Sequence, residues 1–139
     1  MTDVVLDAAA FDHLERPEVR ALLRAAARRG GSVRTAAVTL AEVCRGAART
    51  RTVESAIARS RGGRRILVVD TDVRLAKLVG SILHQAGAGS ALLADAHVVA
   101  CCTLAEQAIV LTADPDDLVR LADAVPGTRI TVRHPARLD

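Results

Sequence analysis

The chain has 139 residues and a formal net charge of +3; half of its residues are apolar, with one Phe and no Trp or Tyr. That length is enough for one domain with a substantial core, and the scarcity of aromatic platforms argues against base stacking as the means of holding single-stranded nucleic acid. The modest positive charge permits an anionic partner without requiring one.

Lys77 is the only lysine among 19 basic residues. Arginine content of this kind often follows genome composition, so by itself it carries no functional argument. Cys44, Cys101 and Cys102 are odd in number and form no CxxC pair, which favours core fillers over a disulfide framework or a metal site. The opening MTDVVLDAAAF lacks the basic-then-apolar pattern of a signal peptide, and no apolar run reaches the ~18–20 residues that span a bilayer. A cytoplasmic protein without membrane association is the expectation.

In chain order, Val4–Leu6 is a short apolar strand ending at Asp7. A helix follows from Pro17, with Val19, Leu22, Leu23 and Ala26 on one face and Gly30-Gly31 as its stop. Val33–Thr39 reads as a second strand leading into LAEVCRGAART, and Thr52–Arg61 as a helix ended by Gly62-Gly63. The third strand lies in RILVV, followed by a long helix from Asp70 to Ala86. Ala91–Ala105 is a further apolar helix, Gln107–Thr112 a fourth strand, DPDDLVRLADAV a short helix, and Arg129–Arg133 a fifth strand. Strands that are continuous apolar runs alternating with helices imply a parallel sheet covered on both faces. The expected fold is a three-layer α/β/α sandwich with a mainly parallel central sheet, residues 1–139 forming one domain.

Acids recur at equivalent places. Asp7 follows strand one, Glu42 lies in the first turn of the helix after strand two, Asp95 begins the apolar helix, and Asp114 follows strand four with Asp116 and Asp117 just beyond. In a parallel sheet the strand C-termini share one edge, where ligands bind, so these acids are expected to converge. Converging carboxylates need a cation or a proton between them, and hard oxygen donors without His or Cys suit Mg²⁺ or Mn²⁺ rather than zinc. Acids near helix N-termini also cap helices and complement their dipoles. That is the reading for Asp116, and it stays open for each of the others taken singly.

RRILVVDTDVRLAKLVG, with Asp70 and Asp72 at a strand end, matches the opening of a phosphoacceptor receiver domain. From Arg64, however, only about half an ordinary domain length remains, and Asp95 lies in helical sequence rather than after a strand. Asp70 and Asp72 are therefore expected to be N-caps, with Asp72 an outside candidate for a site contact.

VVLDAAAF, VTLAEVCRG, LLADAHVVA and VLTADPDDLVRLA together resemble, in order and spacing, the four acidic motifs of the PIN-domain ribonucleases, and among them the VapC-type toxins of toxin–antitoxin pairs. The resemblance covers nearly the whole chain. It implies a Mg²⁺- or Mn²⁺-dependent endoribonuclease in which Asp7, Asp95 and Asp114 hold the metal and Glu42 and Asp117 complete the catalytic cluster, with Thr112 at a further polar position of the fourth motif. It also implies a homodimer and an antitoxin whose C-terminal segment lies in an apolar groove, here expected between VRALLRAAARR and VESAIARSR. The chain departs from the pattern at Ala9, where many members carry Ser, Thr or Asn. That departure keeps a second function open: a PIN fold that binds RNA or a protein but no longer cleaves.

Arg45, Arg59, Arg61 and Arg65 belong to a segment whose only acid is Glu54. They are read either as a phosphate-binding surface for RNA or as a solvated face, and Arg45 alternatively as a partner of a site carboxylate. His97 lies two residues after Asp95, on another helix face, and is expected to be packed rather than catalytic. His13, His84 and His134 share no ligand spacing, and neither glycine-rich stretch supplies a P-loop.

Overall fold

The computed structural model describes residues 1–59 and 65–138. Five parallel strands, β1 (Thr2–Leu6), β2 (Val33–Ala36), β3 (Ile66–Val69), β4 (Gln107–Leu111) and β5 (Arg129–Arg133), form one sheet in the order β3-β2-β1-β4-β5. The helices are α1 (Pro17–Arg28), α2 (Ala37–Val43), α3 (Ala47–Ala58), α4 (Val73–Ala86), α5 (Leu93–Cys102) and α6 (Pro115–Ala122). This is the three-layer architecture expected from the sequence, with a sheet that is parallel throughout.

The two-residue period of the strands assigns each face to its own core. Val4, Leu6, Val33, Ile66 and Leu111 pack with Val19, Leu23 and Ala26 of α1 and Val53 of α3. On the other face Val5, Ala36, Ala108 and Val110 pack beneath α4, α5 and α6. Helix α5 is buried from Ala96 through Cys102, and it touches strands β1, β2 and β4 as well as helices α2, α4 and α6. Its apolar surface is therefore continuous around its circumference, as a central helix requires.

Where the elements depart from expectation, the reasons are local. Val33–Thr39 is not one strand: β2 ends at Ala36 and α2 begins at Ala37. Its last pairing is Ala36 with Val69, and beyond the sheet the helix formers of TLAEV decide the conformation. Glu42 therefore sits in the second turn of α2 rather than the first. Helix α3 begins at Ala47, after Gly46 with φ +86°, five residues earlier than expected; the stop assigned to Gly62-Gly63 lies outside the described residues. Helix α4 begins at Val73 because Asp72 caps it, its side chain accepting the Leu75 N–H at 2.8 Å. Asp70 makes no such cap. Helix α5 is preceded by a 3-10 turn, Ser90–Leu92, and ends at Cys102 rather than Ala105. At the end of α1, Gly31 is required by space, since a Cβ there would lie 2.1 Å from the Thr2 carbonyl oxygen.

Candidate metal centre

The chain runs outward from β1 through β2 to β3, then returns to β4 on the other side of β1. That reversal opens a crevice at the carboxyl ends of β1 and β4. Asp7 directly follows β1, and its N–H bonds the Leu111 carbonyl at the end of β4 at 3.2 Å. Its Oδ1 accepts the Ala10 N–H at 3.2 Å. Thr112, fully buried one residue past β4, hydrogen-bonds the Asp7 side chain. The Thr112 hydroxyl oxygen also accepts the Asp114 N–H at 3.0 Å. One threonine thus ties the acids following the two central strands.

Electrostatics joins the remaining acids to this pair. The Asp95 carboxyl is pushed up to about 6, first by burial and then by the charges of Asp7, Asp117, Asp114 and Glu42. Asp7 is raised chiefly by burial, which outweighs its hydrogen bonds from Thr112, Ala10 and Ala9. Asp114 is raised by its hydrogen bond with Asp117 and the Asp117 charge. Acids from β1, α2, α5 and the β4–α6 turn therefore lie within one field. Among the described residues none of them enters an ion pair.

The donors are oxygens throughout, with neither His nor Cys, a set that could hold a hard divalent cation. Among the described residues no three His, Cys, Asp or Glu side chains are already closed into a metal-binding group. Burial first, and then the charges of neighbouring acids, raise the Asp95 carboxyl, while Asp7 is raised chiefly by burial. Asp116 is exposed in the first turn of α6, in keeping with its capping or solvated reading. His97 is buried, with its Nδ1 2.8 Å from the Leu93 carbonyl, packed as expected. Ala9 lies in the 3-10 turn after Asp7.

The arginines are more dispersed in role than their spacing suggested. Arg49 pairs with Asp12 at 2.7 Å, and Arg59 bonds Glu15. Both contacts tie α3 to the segment before α1. Arg45 and Arg65 are exposed and enter no ion pair among the described residues; Arg61 lies outside them. Beside α1 the described residues also line a cleft on the side away from α3. This cleft, of about 450 Å³, is lined by Glu18, Ala21 and Leu22 of α1 with Ile109, Arg133 and Leu138.

One residue of interest was missed. Thr39 of α2 is fully buried, and its hydroxyl has no hydrogen-bond partner among the described residues. An unsatisfied buried hydroxyl costs about 1–3 kcal/mol. The only available signal was a hydroxyl one helical turn before Glu42 in an otherwise apolar run.

A parallel α/β/α domain with carboxylates gathered at the switch point of its sheet is the class defined by this fold and site. Residues 2–124 match the PIN domain family, and the chain belongs to it. A chain of VapBC2 from Rickettsia felis, in a structure bound to a DNA fragment from the promoter, superposes with a TM-score of 0.65 at 15% identity, covering 96% of this chain and 99% of that one. A chain of DNA-bound VapBC from Salmonella typhimurium superposes at 0.59 with 22% identity, covering 95% and 98%. At these identities the likeness concerns the fold. No curated protein sequence matches significantly.

Proposed function

We propose that the chain is a Mg²⁺- or Mn²⁺-dependent endoribonuclease and the toxin of a toxin–antitoxin pair, working in the cytoplasm with residues 1–139 as one domain. The observation that carries the proposal is the Asp95 carboxyl, raised to about 6 by its burial and by four other acids from separate segments. Such an arrangement opposes its own ionisation, and a divalent cation relieves it. Membership of the PIN family supports the nuclease reading, and likeness to VapBC chains supports the toxin role.

Asp7, Asp95 and Asp114 would hold the cation, and Glu42 and Asp117 would complete the cluster. When bound, the cation supplies Lewis acidity toward a hydrolytic water and offsets charge developing on the phosphate. The chain's own groups do the positioning. Thr112 fixes the Asp7 carboxylate and the turn bearing Asp114. Asp117, hydrogen-bonded to Asp114, holds the Asp114 carboxyl above its ordinary range. Arg45 and Arg65, exposed and without an ion pair among the described residues, would meet RNA phosphates, with Arg59 and Arg61 as further members of that surface. An antitoxin segment would lie in the cleft lined by Leu22, Ile109, Glu18 and Arg133, and a homodimer would use a separate surface. No helix among the described residues is long and apolar enough to cross a membrane.

A second reading, a PIN fold that binds RNA or a protein without cleaving, is favoured by Ala9 and by the open spacing of the acids. Incubating RNA with the protein and Mn²⁺, with and without chelator, separates the two. Chelator-sensitive cleavage that Asp95→Asn abolishes supports the nuclease. RNA binding without cleavage supports the alternative. Co-purification with the product of the adjacent gene, and inhibition by it, tests the toxin role.

A further inference from the structure

We infer that the Thr39 hydroxyl positions Glu42 within the acidic cluster, an inference that rests on the metal-dependent reading above. At about 100° per residue around a helix, the side chains of α2 follow one another around its axis as Val38, Glu42, Thr39 and Val43. Val38 packs against the core beneath α4–α6, and Val43 belongs to the core beneath α1 and α3. The sheet separates those two cores. The arc between Val38 and Val43, holding Glu42 and Thr39, therefore looks along the plane of the sheet onto its carboxyl edge, where Asp7 follows β1. Helix α2 also packs on α5, which carries Asp95.

Thr39 has no structural use for its oxygen among the described residues. The other fully buried threonines of this edge are both engaged: the Thr35 hydroxyl donates to the Leu6 carbonyl at 2.9 Å, and the Thr112 hydroxyl accepts the Asp114 N–H. Thr39 alone is left with an orphaned hydroxyl. Valine fills the same space without the penalty, so core packing does not explain threonine here. Glu42 is one turn further along the same side, exposed and without an ion pair among the described residues. When Glu42 turns inward toward a cation, the Thr39 O–H donates to its carboxylate and fixes its orientation. Partners of this kind govern metal affinity although they touch no metal.

The test compares Thr39→Val, Thr39→Ser and the parent for thermal midpoint in metal-free buffer and for the Mn²⁺ concentration that raises it halfway. The expected result for Thr39→Val is a metal-free midpoint equal to or above the parent's and a requirement for about tenfold more Mn²⁺. Thr39→Ser is expected to restore the parent Mn²⁺ response. In a Glu42→Ala background, Thr39→Val should add no further loss. The inference is overturned if Thr39→Val lowers the metal-free midpoint, if its Mn²⁺ response equals the parent's, if Thr39→Ser fails to rescue, or if the loss persists without Glu42. A parent protein that shows no Mn²⁺ response fails at the earlier step, which sinks the metal reading and this inference with it.

Discussion

Strand β1 carries an aspartate at each end, and the two are treated in opposite ways. Asp3, only 5% exposed, is satisfied within the chain: Arg34 Nε lies 2.8 Å from Oδ2, and the Ser32 N–H donates to Oδ1 at 2.9 Å. Asp7 has hydrogen bonds but no cation among the described residues, and Asp114 stands near it with the same sign of charge. A buried acid with an internal arginine belongs to the fold. A half-buried acid whose charged neighbours among the described residues are other acids has no such internal neutralisation. The Asp3 charge at the amino edge of the sheet is therefore neutralised within the chain, while the acids at the carboxyl edge enter no ion pair among the described residues.

The largest effects should separate these two edges. Asp7→Asn or Asp95→Asn should reduce RNA cleavage at least ~100-fold while leaving the protein folded, since each removes a negative ligand but keeps the shape. Asp3→Asn should do the reverse. It should lower stability by about 2–3 kcal/mol, below the range for fully buried pairs because Arg34 keeps part of its side chain in water, and leave cleavage per folded molecule unchanged. Denaturant melts and single-turnover cleavage of the three variants check both halves. Loss of activity in Asp3→Asn with full activity in Asp7→Asn would reverse the assignment.

The next effect is a pH dependence confined to the carboxyl edge. Asp95 has its pKa raised on folding, to about 6. This group favours the folded state below its ordinary unfolded pKa, and the advantage fades as pH rises through about 6. Without metal, Asp95→Asn should match the parent near pH 4 and become the more stable of the two above pH 6. Thermal melts across that range in chelator should show the gap opening, and a constant gap would show that burial and the neighbouring acids do not raise the Asp95 carboxyl on folding.

Smaller changes are expected on the arginine surface. Arg45→Ala with Arg65→Ala should flatten the salt dependence of RNA binding by roughly 0.7 log units per lost phosphate contact. Arg59→Ala should contribute less, because its guanidinium already bonds Glu15. An unchanged salt slope assigns the pair to the solvated face. The smallest effect lies at the start of α4, away from both edges of β1. Asp72→Ala should cost about 1 kcal/mol by removing an N-cap and leave cleavage untouched. A loss of activity there would promote Asp72 from cap to site residue.

The sequence disclosed the carboxyl edge far better than the amino edge, for a physical reason. Asp7 and Asp114 follow apolar runs directly, so the parallel topology alone brings them together, and Asp95 stands out as an acid at the head of an apolar helix. Contacts between residues distant in sequence leave no such trace. Arg34 and Asp3 are 31 residues apart, and Arg49 and Asp12 37; nothing in local periodicity pairs them. The end of β2 was equally hidden, because a run such as VRTAAVT suits a strand until the neighbouring strands stop. Thr39 was hidden by the same boundary: its spacing of three from Glu42 carries meaning only once both lie in α2.

The central claim is that the acids at the carboxyl edge form a site for a divalent cation. Thermal stability of the parent and of Asp95→Asn, measured against Mn²⁺ at pH 7.5, tests it most directly, because a ligand that binds only the folded state must raise the midpoint as its concentration rises. The predicted result is a progressive rise for the parent and little or none for Asp95→Asn. Equal rises in both proteins, or none in the parent, would contradict the claim.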